Sequence, residues 1–305
     1  MTESSVAIGC LGEVMLELVP TAGPQATLGV AGDTYNTAVY LRHVAPDLSV
    51  DYITGLGMDG FSARILQHMK KFGVGQGRVF RHPNRGPGLY AIETDTAGER
   101  SFTYWRSASA ARCLGDPDTP EITDLLAGLT HVFLSGISLA ILSQPNRDRL
   151  FAALEAFRAD GGVFAFDSNY RPHLWNDPHL ARRETERAWQ LCDIAMPSVD
   201  DEQSLFEEKD EAVTLQRFQA YGTSLGVLKR GSDGPLGLDG SVIAVPDQPV
   251  RVVDTTAAGD SFNAAYLASI LSGDSNANAI AAGHSLACRV IAERGAIIFP
   301  QEELA

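Results

Sequence analysis

Short apolar runs recur along the chain at residues 6–10, 50–54, 131–135, 163–167, 194–197 and 226–229, each bounded by turn formers or acids. Between them, helically spaced apolar positions run over 34–44, 61–72, 146–159, 179–191 and 212–221. Strand followed by helix, repeated, predicts a mostly parallel sheet covered on both faces. In such sheets ligands sit beyond the carboxyl ends of the strands. One region breaks the rhythm. Residues 89–94 and 100–106 are β-rich runs around Asp95-Thr96-Ala97-Gly98-Glu99, a hairpin pattern, and further strands are predicted over 14–19 and 25–30. The expectation is one α/β domain over 1–305 with a small antiparallel sheet inserted from about 12–32 and 86–108. That sheet reads as a lid over an active site or as a structural ribbon.

With 45% hydrophobic and 20% charged residues, the chain has the composition of a folded globular protein rather than a disordered or fibrous one. No apolar run approaches the ~18 residues of a membrane span. Met1-Thr2-Glu3-Ser4-Ser5 carries an acid where a secretory signal carries basic residues, so a cytoplasmic location is expected. The net charge of -14 argues against nucleic acid or an acidic membrane surface as partner. A small anionic substrate stays open, provided that a local basic pocket receives it. All but four of the 24 basic residues are arginine, whose forked guanidinium suits carboxylate and phosphate. Cys10, Cys113, Cys192 and Cys288 are widely spaced without a CxxC pair, which predicts buried free thiols, and neither they nor the histidines show zinc-ligand spacing.

Gly55-Leu56-Gly57-Met58-Asp59-Gly60 follows a strand, opens a helix and matches GxGxxG. A dinucleotide site also needs an acid about 20 residues on for the ribose hydroxyl. After Asp59 no Asp or Glu occurs until Glu93. The turn is therefore expected to pack a helix on the sheet, and an NAD-dependent oxidoreductase is disfavoured.

The stretch Val252-Val253-Asp254-Thr255-Thr256-Ala257-Ala258-Gly259-Asp260-Ser261-Phe262 runs from a β-branched strand end through small residues into a helix over 262–271. Small residues at such a turn let a ligand approach the backbone, where first-turn amides point outward unpaired. Asp260 sits in the same turn. On these residues alone, it reads equally as a catalytic acid or as an acid favoured by the helix dipole.

Residues 254–262 resemble the C-terminal signature of the ribokinase-like (PfkB) carbohydrate kinases, whose core is Gly-Ala-Gly-Asp; here the first glycine is Ala257. The resemblance extends to Gly32-Asp33-Thr34-Tyr35-Asn36-Thr37-Ala38, to the 55–60 turn and to Lys229-Arg230-Gly231-Ser232-Asp233-Gly234, in the family's order and over almost the whole chain. It implies a three-layer α/β/α sandwich with a small β lid, and ATP with Mg2+ as phosphoryl donor. It also implies that the amides of Ala257, Ala258 and Gly259 form an anion hole while Asp260 takes a proton from a sugar hydroxyl. Lys229, Gly231, Ser232 and Gly234 would form the nucleotide-side loop. Alanine at 257 keeps its amide, so the hole is expected to survive unless that residue needs positive φ. The family's Asn-x-x-Glu element falls on Ser198-Val199-Asp200-Asp201, with Glu202 next, so its two named residues are both replaced. No metal ligand is assigned. A monovalent cation such as K+ activates relatives.

Three segments bear on the substrate. Phe102-Thr103-Tyr104-Trp105-Arg106 puts Tyr104 and Arg106 on one strand face. Asp167-Ser168-Asn169-Tyr170-Arg171-Pro172 sits at a strand's carboxyl end. Two arginines at one sugar site make sense for a carboxylate. With Gly32-Asp33, these segments are similar to bacterial 2-keto-3-deoxygluconate kinases. That similarity implies that Gly32, Asp33, Asn36, Tyr90, Tyr104, Arg106, Arg171 and Asp260 line a sugar-acid pocket, and that Asn169 and Arg171 also approach the phosphates. Tyr90 and Tyr104 face the same side only if their strands pair directly, which requires a five-residue turn or a bulge. The expected reaction is transfer of the ATP γ-phosphoryl to the 6-hydroxyl of 2-keto-3-deoxygluconate. The alternatives are another sugar (2-keto-3-deoxygalactonate, fructose or ribose) or a non-catalytic sugar-acid sensor. A homo-oligomer is expected, because exposed lid edges need covering.

Overall fold

The computed structural model describes residues 6–21, 25–94, 100–243 and 251–298. The chain opens with β1 (Ala7–Leu11), leaves the body for β2 (Met15–Pro20) and β3 (Ala26–Ala31), and returns through α1 (Asp33–Val44), β4 (Ser49–Leu56), α2 (Gly60–Lys71) and β5 (Val79–Arg81). A second excursion makes β6 (Gly88–Thr94) and β7 (Arg100–Trp105). Strands and helices then alternate through α3 (Ile122–Leu126), β8 (His131–Ser135), α4 (Gly136–Ile141), α5 (Gln144–Ala159), β9 (Val163–Asp167), α6 (Pro178–Leu191), β10 (Ile194–Ala195), α7 (Val199–Phe206) and α8 (Glu211–Tyr221). The short pair β11 (Val227–Leu228) and β12 (Leu236–Gly237) precedes two closing helices, α9 (Ala258–Leu271) and α10 (Asn276–Ile291).

Six strands form a parallel sheet in the order β10-β9-β8-β1-β4-β5. From β1 the order runs one way to β5, and from β8 it runs the other way to β10. The reversal opens a crevice at the carboxyl ends of β1 and β8. The two excursions build a separate sheet, β3-β2-β6-β7, antiparallel at both outer pairs and parallel where β2 meets β6, since both strands leave the body in the same direction. Its register pairs Tyr90 with Tyr104 and Thr94 with Arg100, which is the five-residue spacing that direct pairing demands. Residues 95–99 of that hairpin lie outside the described residues.

All five predicted helices begin one or two residues earlier than their apolar pattern, four of them behind a capping side chain. Asp59, Ser143, Asp177 and Asp210 each accept hydrogen bonds from first-turn amides, so the polar opening turn belongs to the helix. Asp59 shows what the GxGxxG turn does: its carboxylate caps α2 through Phe61 N and Ser62 N, each at 2.9 Å. Helix α9 is buried from Ser261 to Ser269 and packs between α1 and α10. Such all-round burial is why it shows no amphipathic stripe. Cys10, Cys113 and Cys192 are buried free thiols, and Cys288 is half-buried. Among the described residues, no helix is long and apolar enough to cross a membrane.

Candidate active site

The carboxyl ends of β8 and β9, the first turns of α1 and α9, and one face of the small sheet enclose a cavity of about 1040 Å³. Gly32, Asp33, Asn36, Tyr90, Tyr104, Arg106, Asn169, Arg171, Lys229, Ala257, Ala258, Gly259 and Asp260 all line it. Gly231, Ser232 and Gly234 do not. They fold into a 3-10 turn that Arg230 ties down by donating to the Gly234 and Asp233 carbonyls. The resemblance extended the nucleotide loop to them, but only Lys229 reaches the cavity wall.

Asp260 lies where α1 meets α9. Its Oδ2 accepts from Asn36 Nδ2 at 2.8 Å, and its carbonyl accepts from Thr37 Oγ1 at 3.2 Å. Asn36 is oriented in turn by the Gly32 amide, 3.5 Å from its Oδ1. Gly32 has to be glycine, because a Cβ there would stand 2.3 Å from the Glu13 carbonyl oxygen. Burial, reinforced by the nearby Asp33 charge, pushes the Asp260 carboxyl up to about 8, against the lowering effect of the Asn36 bond. Such a group is a strong base once deprotonated.

At the opening of α9, Ala257 has φ 60 and ψ 16, the left-handed conformation. The reservation about this alanine therefore applies: it occupies a conformation that glycine would enter freely, at a cost of roughly 1–2 kcal/mol. The left-handed residue closes a turn in which the Ala258 amide donates to Thr255 O at 3.2 Å. Ala258 is thus not a free member of an anion hole. The amides without a partner among the described residues are those of Ala257, Gly259 and Asp260. Lys229 Nζ faces this turn, 3.9 Å from where a Cβ on Gly259 would stand, and is anchored by Asp167 Oδ1 at 2.9 Å and Asn263 Oδ1 at 3.1 Å.

At the cavity's other end, Tyr90 and Tyr104 sit side by side with ring centroids 5.8 Å apart, and the Arg106 guanidinium lies 5.8 Å from the Tyr104 ring. Tyr90 donates its hydroxyl to Glu17. Arg106 donates through Nε, at 2.8 Å, and through Nη2 to a single oxygen of the buried Glu13. Arg171 lies 3.6 Å from Asp201. Asp33 accepts from Ser135 Oγ and from Asn169 Nδ2, the latter at 2.7 Å.

The sequence matches the pfkB family of carbohydrate kinases over residues 7–303. The chain belongs to that family. It is 44% identical over 308 residues to a 2-dehydro-3-deoxygluconokinase of Dickeya dadantii (strain 3937), covering 98% of each chain. Among solved structures, a 2-dehydro-3-deoxygluconokinase from Thermotoga maritima superposes with TM-score 0.81 at 20% identity, covering 98% of each chain. A double-mutant fructokinase from Vibrio cholerae, solved with fructose, ADP and a potassium ion, gives 0.83 at 22% identity over 98% of this chain and 96% of its own. The fold is therefore ribokinase-like, an α/β body with a smaller, mostly antiparallel sheet.

In this pfkB kinase the altered Asn-x-x-Glu element divides by direction. Ser198, Asp200 and Asp201 line the cavity, and Asp201 accepts from Ser168 Oγ at 3.4 Å and from Tyr170 N at 3.2 Å. Glu202 points away, buried, to Arg217 at 2.7 Å. Sequence reasoning missed Glu13, Asp167 and His173 as site residues. Asp167 had a signal, as an acid closing a buried strand at its carboxyl end. Glu13 and His173 had none, because each depends on contacts between the body and the small sheet.

Proposed function

We propose that this chain is a sugar-acid kinase that transfers the γ-phosphoryl of ATP to the 6-hydroxyl of 2-keto-3-deoxygluconate, also named 2-dehydro-3-deoxygluconate. The observation that carries the proposal is one cavity with two differing ends. A half-buried carboxyl sits beside unpartnered amides at one end, and a cluster of tyrosines and arginines lies at the other. Asp260 takes the proton of the 6-hydroxyl as that oxygen bonds to the γ-phosphorus, and the bond from phosphorus to the β-phosphate oxygen breaks to release ADP. The amides of Ala257, Gly259 and Asp260, with Lys229, face the charge that develops on the phosphoryl oxygens. Asp33, held by Ser135 and Asn169, accepts sugar hydroxyls, while Tyr104, Arg106 and Arg171 receive the carboxylate.

The small sheet acts as a lid on a single kinase domain. Magnesium enters as part of the nucleotide substrate: among the described residues no cluster of three or more His, Cys, Asp or Glu is arranged to hold a resident metal. ATP, a monovalent cation and a second copy of the chain over the lid edges are the expected partners. The test is a panel of sugars and sugar acids, each with Mg-ATP, with the product's phosphate position read by NMR. Turnover of 2-keto-3-deoxygluconate to its 6-phosphate, above fructose, ribose and 2-keto-3-deoxygalactonate, is the expected result. A preference for a neutral sugar would overturn the carboxylate assignment, and ATP-independent binding without turnover would favour a sensor.

A further inference from the structure

The basic groups around the cavity differ in one respect. Arg106 is set against Glu13, Arg171 against Asp201 and Lys229 against Asp167. His173, on the 3-10 turn 172–174 that follows β9, also lines the cavity, yet it makes no hydrogen bond or ion pair among the described residues. Its ring stacks on Tyr104, with centroids 5.7 Å apart and planes 25° apart, bridging the body to the small sheet. The charged and titratable groups that face it are Tyr104 and Arg106 from the small sheet and Arg171 from its own loop. It is thus a basic ring among paired cations, without a counter-charge of its own.

We propose that His173 completes the carboxylate site, presenting a ring nitrogen to the acid group of the substrate while its stacking on Tyr104 joins the lid to the body. The inference rests on the sugar-acid reading of the cavity and names a recognition residue beyond the residues that the resemblance implies. In the empty site, partial desolvation and the Arg106 and Arg171 charges hold the imidazole below its ordinary range. A bound carboxylate reverses that field and favours the imidazolium. Binding therefore takes up a proton wherever the pH lies between the two values, and affinity for the acid rises as the pH falls through that interval.

The test titrates 2-keto-3-deoxygluconate into wild type, His173→Gln and His173→Phe by calorimetry, at several pH values and in buffers of different ionisation enthalpy. Asp260 also exchanges protons in this range, so the signal is the difference between wild type and variant. The expected result is greater proton uptake by wild type and, at pH 6, about tenfold weaker binding by both variants, equivalent to about 1.4 kcal/mol. KM for ATP stays unmoved. Equal proton uptake in all three proteins, or wild-type affinity in His173→Phe, which keeps the stacking but has no ring nitrogen, overturns the proposal. If none of the three binds the sugar acid while all three phosphorylate a neutral ketose, the substrate reading is at fault and this inference falls with it.

Discussion

Replacing Arg106 with alanine is expected to damage stability and substrate recognition separately, and the two losses can be measured apart. Arg106 is 7% exposed and Glu13 2% exposed. One Glu13 oxygen receives both guanidinium bonds, while the other is buried without a partner among the described residues. Removing the guanidinium therefore leaves a buried carboxylate with nothing to offset its charge. Two lost charge-assisted bonds at about 1.5–3 kcal/mol each give about 3–6 kcal/mol. That agrees with the about 3–5 kcal/mol seen when one partner of a buried ion pair is deleted. Recognition loses one such bond to the substrate carboxylate, so KM for the acid rises by about 10- to 150-fold.

Urea unfolding and steady-state kinetics on Arg106→Ala give the two numbers. The double variant Glu13→Leu/Arg106→Leu separates them, because replacing both members of a buried pair by apolar groups is often neutral or better. It is expected to recover most of the stability and none of the KM. A stability loss below about 1 kcal/mol in Arg106→Ala would mean that Glu13 does not depend on this pairing. An unchanged KM, or one restored in the double variant, would remove Arg106 from carboxylate recognition.

Asp260→Asn is expected to lower kcat by about 10²- to 10⁴-fold while ATP binding, followed by calorimetry, persists; near-normal turnover removes Asp260 as the base. Because the Asp260 carboxyl is pushed up to about 8 and works deprotonated, kcat at saturating sugar acid, which no longer contains the binding-linked protonation of His173, should climb with pH and level off near that value. Asn36→Ala, which deletes a bond favouring the charged form, should move the bend higher; a bend below pH 6 in wild type would refute the assignment. Ala257→Gly should stabilise the protein by up to about 1 kcal/mol in thermal unfolding, since relief of roughly 1–2 kcal/mol from the left-handed strain exceeds the added freedom of the unfolded chain. A fall in melting temperature would show that the alanine is not strained. Sedimentation velocity should detect a homo-oligomer, and a monomer at micromolar concentration would leave the lid edges without the expected cover.

The parallel body was legible because strands such as β8 and β9 are uninterrupted apolar runs closed by a polar residue, and 131–135 and 163–167 are observed without displacement. Helix α10 was not read. Its buried face runs through Ala279, Ile280, Gly283, Leu286 and Val290, and because a Cβ on Gly283 would lie 3.0 Å from the Phe262 ring, packing requires small residues on that face, which weakens its apolar signal. In the site, contiguous segments were legible: 257–260 and Gly32, Asp33 and Asn36 do meet in one cavity. Pairings across about 90 residues or more, such as Glu13 with Arg106 and Asp167 with Asn263, leave no trace in either segment alone. The same holds for the fate of the Ala258 amide, which follows from the sign of one backbone angle.

Those long-range pairings bear on how a chain of net charge -14 accepts two anionic substrates. Among the described residues, Asp33, Asp167, Asp200, Asp201, Asp254 and Asp260 line the cavity against only Arg106, Arg171 and Lys229 as fixed cations, so a net positive pocket is not the device. Each cation is instead fixed by an acid placed behind or beside it, and the unpartnered amides at the head of α9 carry no net charge at all. Preorganised donors of this kind stabilise developing charge by direction, without the reorganisation that free, solvated cations would require. An approaching anion then displaces none of these bonds, and at His173 it brings the counter-charge that the described residues do not supply.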